Sequence, residues 1–389
     1  MPRFPRPAVT SEGLSDRVYS ALASRARGRP GPIHPLHVGD TWREPPPAAR
    51  CEALRAADHP RLFGYAPIQG EPVLLEAVRA RLLARHGLAV DPEDLQIMPG
   101  ATTGLAVVVS ALLEPGDALL LPSPFWPLIR GIATARGCAV AEVPLFTRLD
   151  DPRFDAEAAL ERAVTSRTAA IYVNDPHNPT GRVLPPAVVD AIARVARRHD
   201  LWVIADAAYA ELVYAPPRAP FWLREDLADR TVVTHTLSKT WALAGARVGF
   251  THGPREAMAR VRGLQAYLAY NAAKPMQRLA ARALETGDAW LEETLGIYAE
   301  AGRAAARAVG VAAPEAGTFL FVDVAPHLAP GEGLDGFLER CLDAGVLVTP
   351  GPACGQDFPA HVRLCFTAVP PAELEDALGR LAGVLGRRR

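Results

Sequence analysis

Of the 42 Lys plus Arg in this chain, only two are lysine, Lys239 and Lys274. Lys239 lies in HTLSKTWALAGARVGF, residues 235–250. Arginine stays protonated in essentially every protein environment, whereas burial or a neighbouring cation can deprotonate a lysine. The lysine is then a primary amine that condenses with an aldehyde. A lysine retained in a loop after a strand, in a chain that otherwise chooses arginine, is a candidate for imine chemistry. The plain alternative is that two lysines must sit somewhere.

Other residues near it in type and pattern fit one ligand, a phosphorylated aromatic aldehyde. Asp206 ends the run WVIAD, where a carboxylate can keep a pyridine nitrogen protonated; a helix cap is the alternative. Tyr209, three residues on, can offer its phenol to a ring oxygen, or be core. Asn178 sits in NDPHNPTGRV (174–183), a turn-rich loop whose two X-Pro steps and Thr-Gly pair would fix an amide donor toward the same oxygen, or form a turn and nothing more. PGATTG (99–104) follows the strand-like LQIMP and opens an apolar helix, so the free N–H groups near Gly100, Ala101 and Thr102 can bind phosphate, unless a threonine caps them. Arg247, eight residues past the lysine, can add a forked countercharge, and Thr236 a hydroxyl.

These residues need elements to hold them. Strand-like runs occur at 95–99, 118–121, 139–143, 169–174, 202–206, 231–236 and 247–251, with helical patterns between them. Val188, Ile192 and Val195 fall at i, i+4, i+7 and predict one apolar helix stripe. Strand-helix alternation predicts an α/β fold, a largely parallel sheet covered on both faces, with the ligand site in loops after the C-terminal strand ends. Residues 1–54 read as an irregular arm rich in Pro and Arg, with a short helical pattern at 15–25. Residues 55–275 read as a large domain. From 276 to 389 the character changes: alanine-rich helices over 277–309, short strands at 319–324, 346–348 and 361–366, and a last helix from about Pro371. This predicts a smaller α+β domain on which the arm can pack.

The 389 residues exceed one ordinary core. A net charge of -1 implies no polyanionic partner, and Arg387, Arg388 and Arg389 read as a solvated tail rather than a nucleic-acid patch. Five cysteines without a CxxC pair disfavour a disulfide scaffold or a zinc site and fit a reducing cytoplasm, and no metal site is expected. The longest apolar stretch, near 104–113, is far shorter than the roughly 20 residues of a membrane span. The N-terminus lacks the apolar segment of a signal peptide, and no internal repeat is visible.

Six motifs, GATTG (100–104), PSPFW (122–126), NPTG (178–181), ADAAY (205–209), TLSK…ARVGF (236–250) and HVRLCF (361–366), occur in one order across nearly the whole chain. In these the chain resembles the class I/II aminotransferases, fold-type I enzymes dependent on pyridoxal 5'-phosphate (PLP). The resemblance implies a mixed, mostly parallel seven-stranded sheet in a large PLP domain plus a smaller α+β domain. It implies that Lys239 is the Schiff-base lysine and acid/base, Asp206 the pyridinium partner, and Asn178 and Tyr209 the ring-oxygen donors. Arg247, Thr236, Ser238 and the amides of Gly100, Ala101 and Thr102 would form the phosphate cup. Trp126, with Phe125 in reserve, would stack on the ring. Arg363 would fork onto the substrate α-carboxylate, and Gly39, in LHVGDTW, would bring its backbone close to the substrate. Tyr65, in GYAPIQG, would reach the neighbouring subunit's phosphate in a homodimer.

The chain departs from the family pattern in having Ala207-Ala208 between Asp206 and Tyr209, and it shows no clear second arginine for a dicarboxylate side chain. The expectation is amino transfer from a neutral or aromatic L-amino acid to a 2-oxo acid, with Trp42, Tyr267, Tyr270 and Asn271 near the side-chain pocket. Lys274 reads mainly as a solvated lysine, with a site role as the alternative. A C–S β-lyase or aminocyclopropane-carboxylate-type synthase on the same fold is the rival. A PLP-sensing transcription regulator would need a DNA-binding domain for which the short, proline-rich arm has no room.

Overall fold

The computed structural model describes residues 8–15, 19, 22–27, 29, 31–216 and 218–386. The Arg387–Arg389 run and much of the expected 15–25 helix lie outside them; the described part of that helix is Ala23–Ala26.

Seven strands form the larger sheet: β1 (Leu95–Met98), β2 (Ala118–Ser123), β3 (Ala139–Pro144), β4 (Thr168–Asn174), β5 (Trp202–Asp206), β6 (Thr231–Thr236) and β7 (Gly249–His252). Their order is β1-β7-β6-β5-β4-β2-β3. The β2–β3, β2–β4, β4–β5 and β5–β6 pairs are parallel, and β7 runs antiparallel to both β1 and β6. Both faces are buried. Ile171 and Val173 point into one apolar core with the helix Pro186–Arg198, whereas Ala170 and Tyr172 point into another with the helices Gly100–Leu112 and Arg255–Leu268. That two-sided burial explains why these strands read as continuous apolar runs rather than alternating ones. Val188, Ile192 and Val195 are all buried in the first core.

A second sheet, in the order β8-β10-β9, comprises β8 (Phe319–Asp323), β9 (Thr349–Pro350) and β10 (His361–Cys365), with β10 antiparallel to both neighbours. It has its own core, against the helices Asp288–Val309, Leu334–Asp343 and Pro371–Val384. The strand expected at 346–348 is displaced. Val346 makes only an isolated parallel bridge to His34, and ladder pairing begins at Thr349. The chain before the large sheet has taken that edge: Leu347 N–H donates to the His34 carbonyl (3.0 Å) and Cys365 N–H to Leu36 (2.8 Å). Residues 34–42 thus run along the small sheet, ending with Trp42 N–H on the Thr367 carbonyl at 2.9 Å. The alanine-rich stretch forms two helices, Lys274–Thr286 and Asp288–Val309, and the first of these packs into the core of the large sheet.

Candidate active site

Four parallel strands end on one edge of the large sheet, and each end delivers a side chain. Ser123 leads into Phe125 and Trp126, Asn174 into the Asn178 loop, Asp206 into Tyr209, and Thr236 into Lys239. This is where an α/β sheet places ligands, because the backbone there leaves the ladder and its side chains converge.

The turn from β6 to β7 is closed by Leu237 N–H on the Val248 carbonyl (3.1 Å). Inside it, Thr236 Oγ1 accepts from Ser238 N–H (3.1 Å) and donates to Ser238 Oγ (2.8 Å). Arg247 takes the left-handed conformation (φ 52°), uncommon for a residue with a side chain, and its guanidinium comes to rest on Gly100. A Cβ added at Gly100 would lie 2.6 Å from Arg247 Nη2. Gly100 opens the helix Gly100–Leu112, whose N-cap is Pro99 and makes no side-chain cap. The threonine cap considered from sequence is therefore absent, and an uncapped helix start, an arginine and two hydroxyls face one another: an anion cradle.

Asp206 is the opposite pole. Tyr172 Oη donates to its Oδ2 at 2.6 Å and Ala208 N–H to its Oδ1 at 3.1 Å. Burial pushes the carboxyl up to about 6 despite those two bonds, and among the described residues it makes no ion pair. A charged carboxylate there calls for a cation. Asn174 Nδ2 holds the Asp206 carbonyl (2.9 Å), and Asn174 Oδ1 receives Asn178 N–H (2.7 Å). Asn178 Oδ1 in turn accepts from Arg363 Nη1 at 3.1 Å. With its oxygen engaged, Asn178 keeps its NH2 as a donor. Tyr209 is buried, edge-on to Phe319 at 6.0 Å, and burial raises its phenol.

Arg363, on β10, is 1% exposed. Its Nη2 donates to the His37 carbonyl (2.9 Å) and to Thr349 Oγ1 (3.2 Å), its guanidinium lies over Phe319 at 4.4 Å and Tyr19 at 5.2 Å, and among the described residues its Nε has no partner. A buried guanidinium with only neutral partners is a standing site for a carboxylate. His37 beside it is lowered to about 4 by burial and then by Arg363, so it is neutral at pH 7. Lys239 Nζ donates to the carbonyl of Gly39, which passes so close to Phe319 that a Cβ would lie 2.5 Å from its Cζ. Burial lowers the Lys239 amine; Cys365 and Asp40 oppose that shift, and the charges of Arg363 and Arg247 add to it.

The remaining expected residues fall in different places. Phe125 is fully buried in the core, with Arg130 over its ring at 5.1 Å. Trp126 is half-buried, and its Nε1 donates to Tyr19 Oη at 3.3 Å. Tyr65 is 86% exposed and packs on Tyr270 at 5.0 Å, away from the groups above. Lys274 Nζ lies 3.6 Å from the buried Glu71 carboxylate and opens a helix. Sequence reasoning missed Tyr172, Asn174, Phe319 and Tyr19. Tyr172 and Asn174, the last residue of β4, share its period-2 pattern, which was a usable signal; Tyr19 carried none.

The donor set fits PLP: an amine, a cationless buried carboxylate for the ring nitrogen, and an anion cradle for the phosphate. The model of the family aminotransferase class I and II matches residues 33–381. The chain belongs to that family. It is a PLP-dependent aminotransferase, transferring an amino group between an amino acid and a 2-oxo acid. It is 33% identical over 358 residues to the arginine–pyruvate transaminase of Pseudomonas aeruginosa, covering 89% of this chain and 88% of that one. It is 32% identical over 354 residues to the aspartate/prephenate aminotransferase of Thermus thermophilus, covering 86% and 87%. The solved structure of Thermus thermophilus aspartate aminotransferase with maleate matches with a TM-score of 0.87 at 28% identity, covering 98% of this chain and all of that one.

Proposed function

We propose that Lys239 is the Schiff-base lysine and the acid/base of this aminotransferase. The observation that carries this is its buried amine, within electrostatic reach of Arg247 at the anion cradle and Arg363 on the other sheet. When bound, PLP supplies an electron-withdrawing ring beside the substrate Cα. Asp206 would hold the proton on the ring nitrogen, Asn178 Nδ2 and Tyr209 Oη would donate to the ring oxygen, and Trp126, with Phe125 as the alternative, would cover the ring face. Gly100, Ala101, Thr102, Thr236, Ser238 and Arg247 bind the phosphate. Arg363 forks onto the substrate α-carboxylate, next to the Gly39 backbone. As a free amine, Lys239 Nζ would take the substrate Cα proton and return it to the carbon that carried the cofactor's aldehyde. Positioned proton transfer of this kind contributes about 10²–10⁴-fold.

The donor proposed is a neutral or aromatic amino acid. Support comes from the two arginines acting on Lys239, each already assigned an anion, and from the aromatic Tyr19, which lies against Arg363 and bonds Trp126. A homodimer is proposed because Phe63, Tyr65, Tyr267 and Leu268 are all strongly exposed, and Asn271 Nδ2 ties their two segments together through the carbonyls of Pro67 (2.6 Å) and Ile68 (2.8 Å). Tyr65 would then serve the neighbouring phosphate. A three-part division is proposed from the two separate sheets, with the first boundary at 54/55 and the second moved from 275/276 to beyond the helix Lys274–Thr286, which packs into the core of the large sheet. A cytoplasmic location is proposed from the five free cysteines; among the described residues no helix is long and apolar enough to cross a membrane.

The test is an absorbance spectrum of the PLP-loaded protein, recorded as single amino acids are added without an acceptor. Loss of the long-wavelength cofactor band identifies the donor and supports amino transfer. Unimpaired turnover in Lys239→Arg defeats the assignment of Lys239.

A further inference from the structure

Next to Asp175, Pro176, Val183 and Leu184, at the two ends of the Asn178 loop, lies a cavity of about 480 Å³. Leu184, Val189, Val213, Phe221 and Leu223 give it apolar walls, and Asp175 faces into it. The volume is in the range of small-molecule sites, which pair apolar walls with a few placed polar groups. Asp175 is 5% exposed. Its Oδ1 accepts from Leu184 N–H at 2.9 Å, and among the described residues no donor reaches Oδ2.

The other carboxylates around it are occupied. Asp190 is paired with Arg224, and Glu315 is held by Arg182 Nε (3.1 Å) and Val183 N–H (2.9 Å). Arg218, on the cavity wall, acts on Asp175 only through space. One carboxylate in apolar surroundings cannot hold a divalent ion, which demands several oxygen ligands. Water would leave most of the apolar wall unsatisfied and the space poorly filled. A ligand with a flat or branched apolar body and one cationic head meets both requirements. We propose that this cavity is a second ligand site, separate from the cofactor pocket, for a small organic cation such as an amidinium or ammonium with an aromatic or aliphatic body, paired to Asp175 Oδ2.

Burial raises the Asp175 carboxyl to about 7, as expected of a group awaiting a cation. The site is wired to the catalytic loop: Asp175 N–H donates to the Asp206 carbonyl at 3.2 Å, and the Leu184 contact closes the 175–184 segment that carries Asn178.

The experiment titrates benzamidine, and separately benzamide, its neutral isostere, into the PLP-loaded enzyme by calorimetry. Benzamidine is chosen because an amidinium is a poor partner for imine chemistry. The expected result is saturable benzamidine binding at one site per chain, with benzamide binding at least about thirtyfold more weakly, as loss of a buried charge pair dictates. Asp175→Asn keeps an acceptor for Leu184 N–H and removes only the charge, so it weakens benzamidine by a similar factor. Val189→Trp keeps the charge and fills the cavity, and abolishes binding; it decides the matter should the Asn variant fail to fold. No saturable binding to the native enzyme, equal affinity for benzamide, or unchanged affinity in either variant overturns the proposal.

Discussion

Asp206 and Asp175 occupy neighbouring strand ends, close enough that the backbone of one is bonded to the other, yet their carboxylates have different surroundings. Both are buried, and desolvation pushes both up, to about 6 and about 7. Asp206 has a donor on each oxygen and lies in a network that runs through Asn174 and Asn178 to Arg363. Asp175 has one donor and an apolar cavity. A raised pKa alone therefore does not distinguish a reaction centre from a binding pocket. Convergence of oriented donors does, because only prearranged dipoles stabilise charge that develops during a reaction.

The comparison breaks first at Asp206. Asp206→Asn, with PLP still bound, is expected to lower kcat by at least about 10²–10³-fold, the scale of losing one preorganised electrostatic partner. A single-turnover measurement within a few-fold of native would place Asp206 in the same class as Asp175. Next comes the far end of the network: Arg363→Ala should raise KM for the amino acid by about 10²-fold, since an unpaired buried carboxylate loses roughly 2–5 kcal/mol. Steady-state kinetics showing unchanged KM would remove Arg363 from substrate binding.

Tyr172→Phe sharpens the contrast. It deletes the bond that holds Asp206 down, so the carboxyl should titrate still higher in the cofactor-free protein. Turnover should fall by about tenfold, in line with roughly 1.5–3 kcal/mol for a hydrogen bond to a charged group. Equal turnover in Tyr172→Phe and native enzyme would make this bond structural only.

A separate effect is on stability. The folded-state value of Asp175 is raised from 3.8 to about 7, so between those values the folded protein holds a proton that the unfolded chain has lost. Its contribution is fully present below pH 3.8, falls as pH rises to about 7 and is flat above that. His252, buried neutral and lowered to about 4, slopes the other way between about 4 and 6.5, so native stability alone is ambiguous. The difference between native enzyme and Asp175→Asn isolates the carboxyl. Urea unfolding should show native stability dropping relative to the variant from pH 4 to pH 7. A pH-independent difference would show that Asp175 is ionised throughout.

Much of this was legible in the residues. A lysine kept among forty arginines, Asp206 closing an apolar run, and a Gly-Ala-Thr-Thr-Gly helix start are local patterns, and the strands and helices that carry them follow local periodicity. Their chemistry is set by residue type, so it needed no coordinates. What lay beyond reach was non-local. Arg363 bonds Asn178 across 185 positions, and Lys239 meets the Gly39 carbonyl across 200. Tyr19 covers Arg363 from an arm segment whose short helical pattern gives no sign of that contact, and the pairing of Val346 with His34 moved a strand by three residues. The two aspartates separate the cases most sharply. Sequence places an Asp after each strand's apolar run, but which carboxylate meets converging donors and which faces a cavity depends on register between strands and on how the small sheet docks. Those are settled only when distant segments exclude water together, because the energy of a buried polar group lies in the partners that folding brings to it.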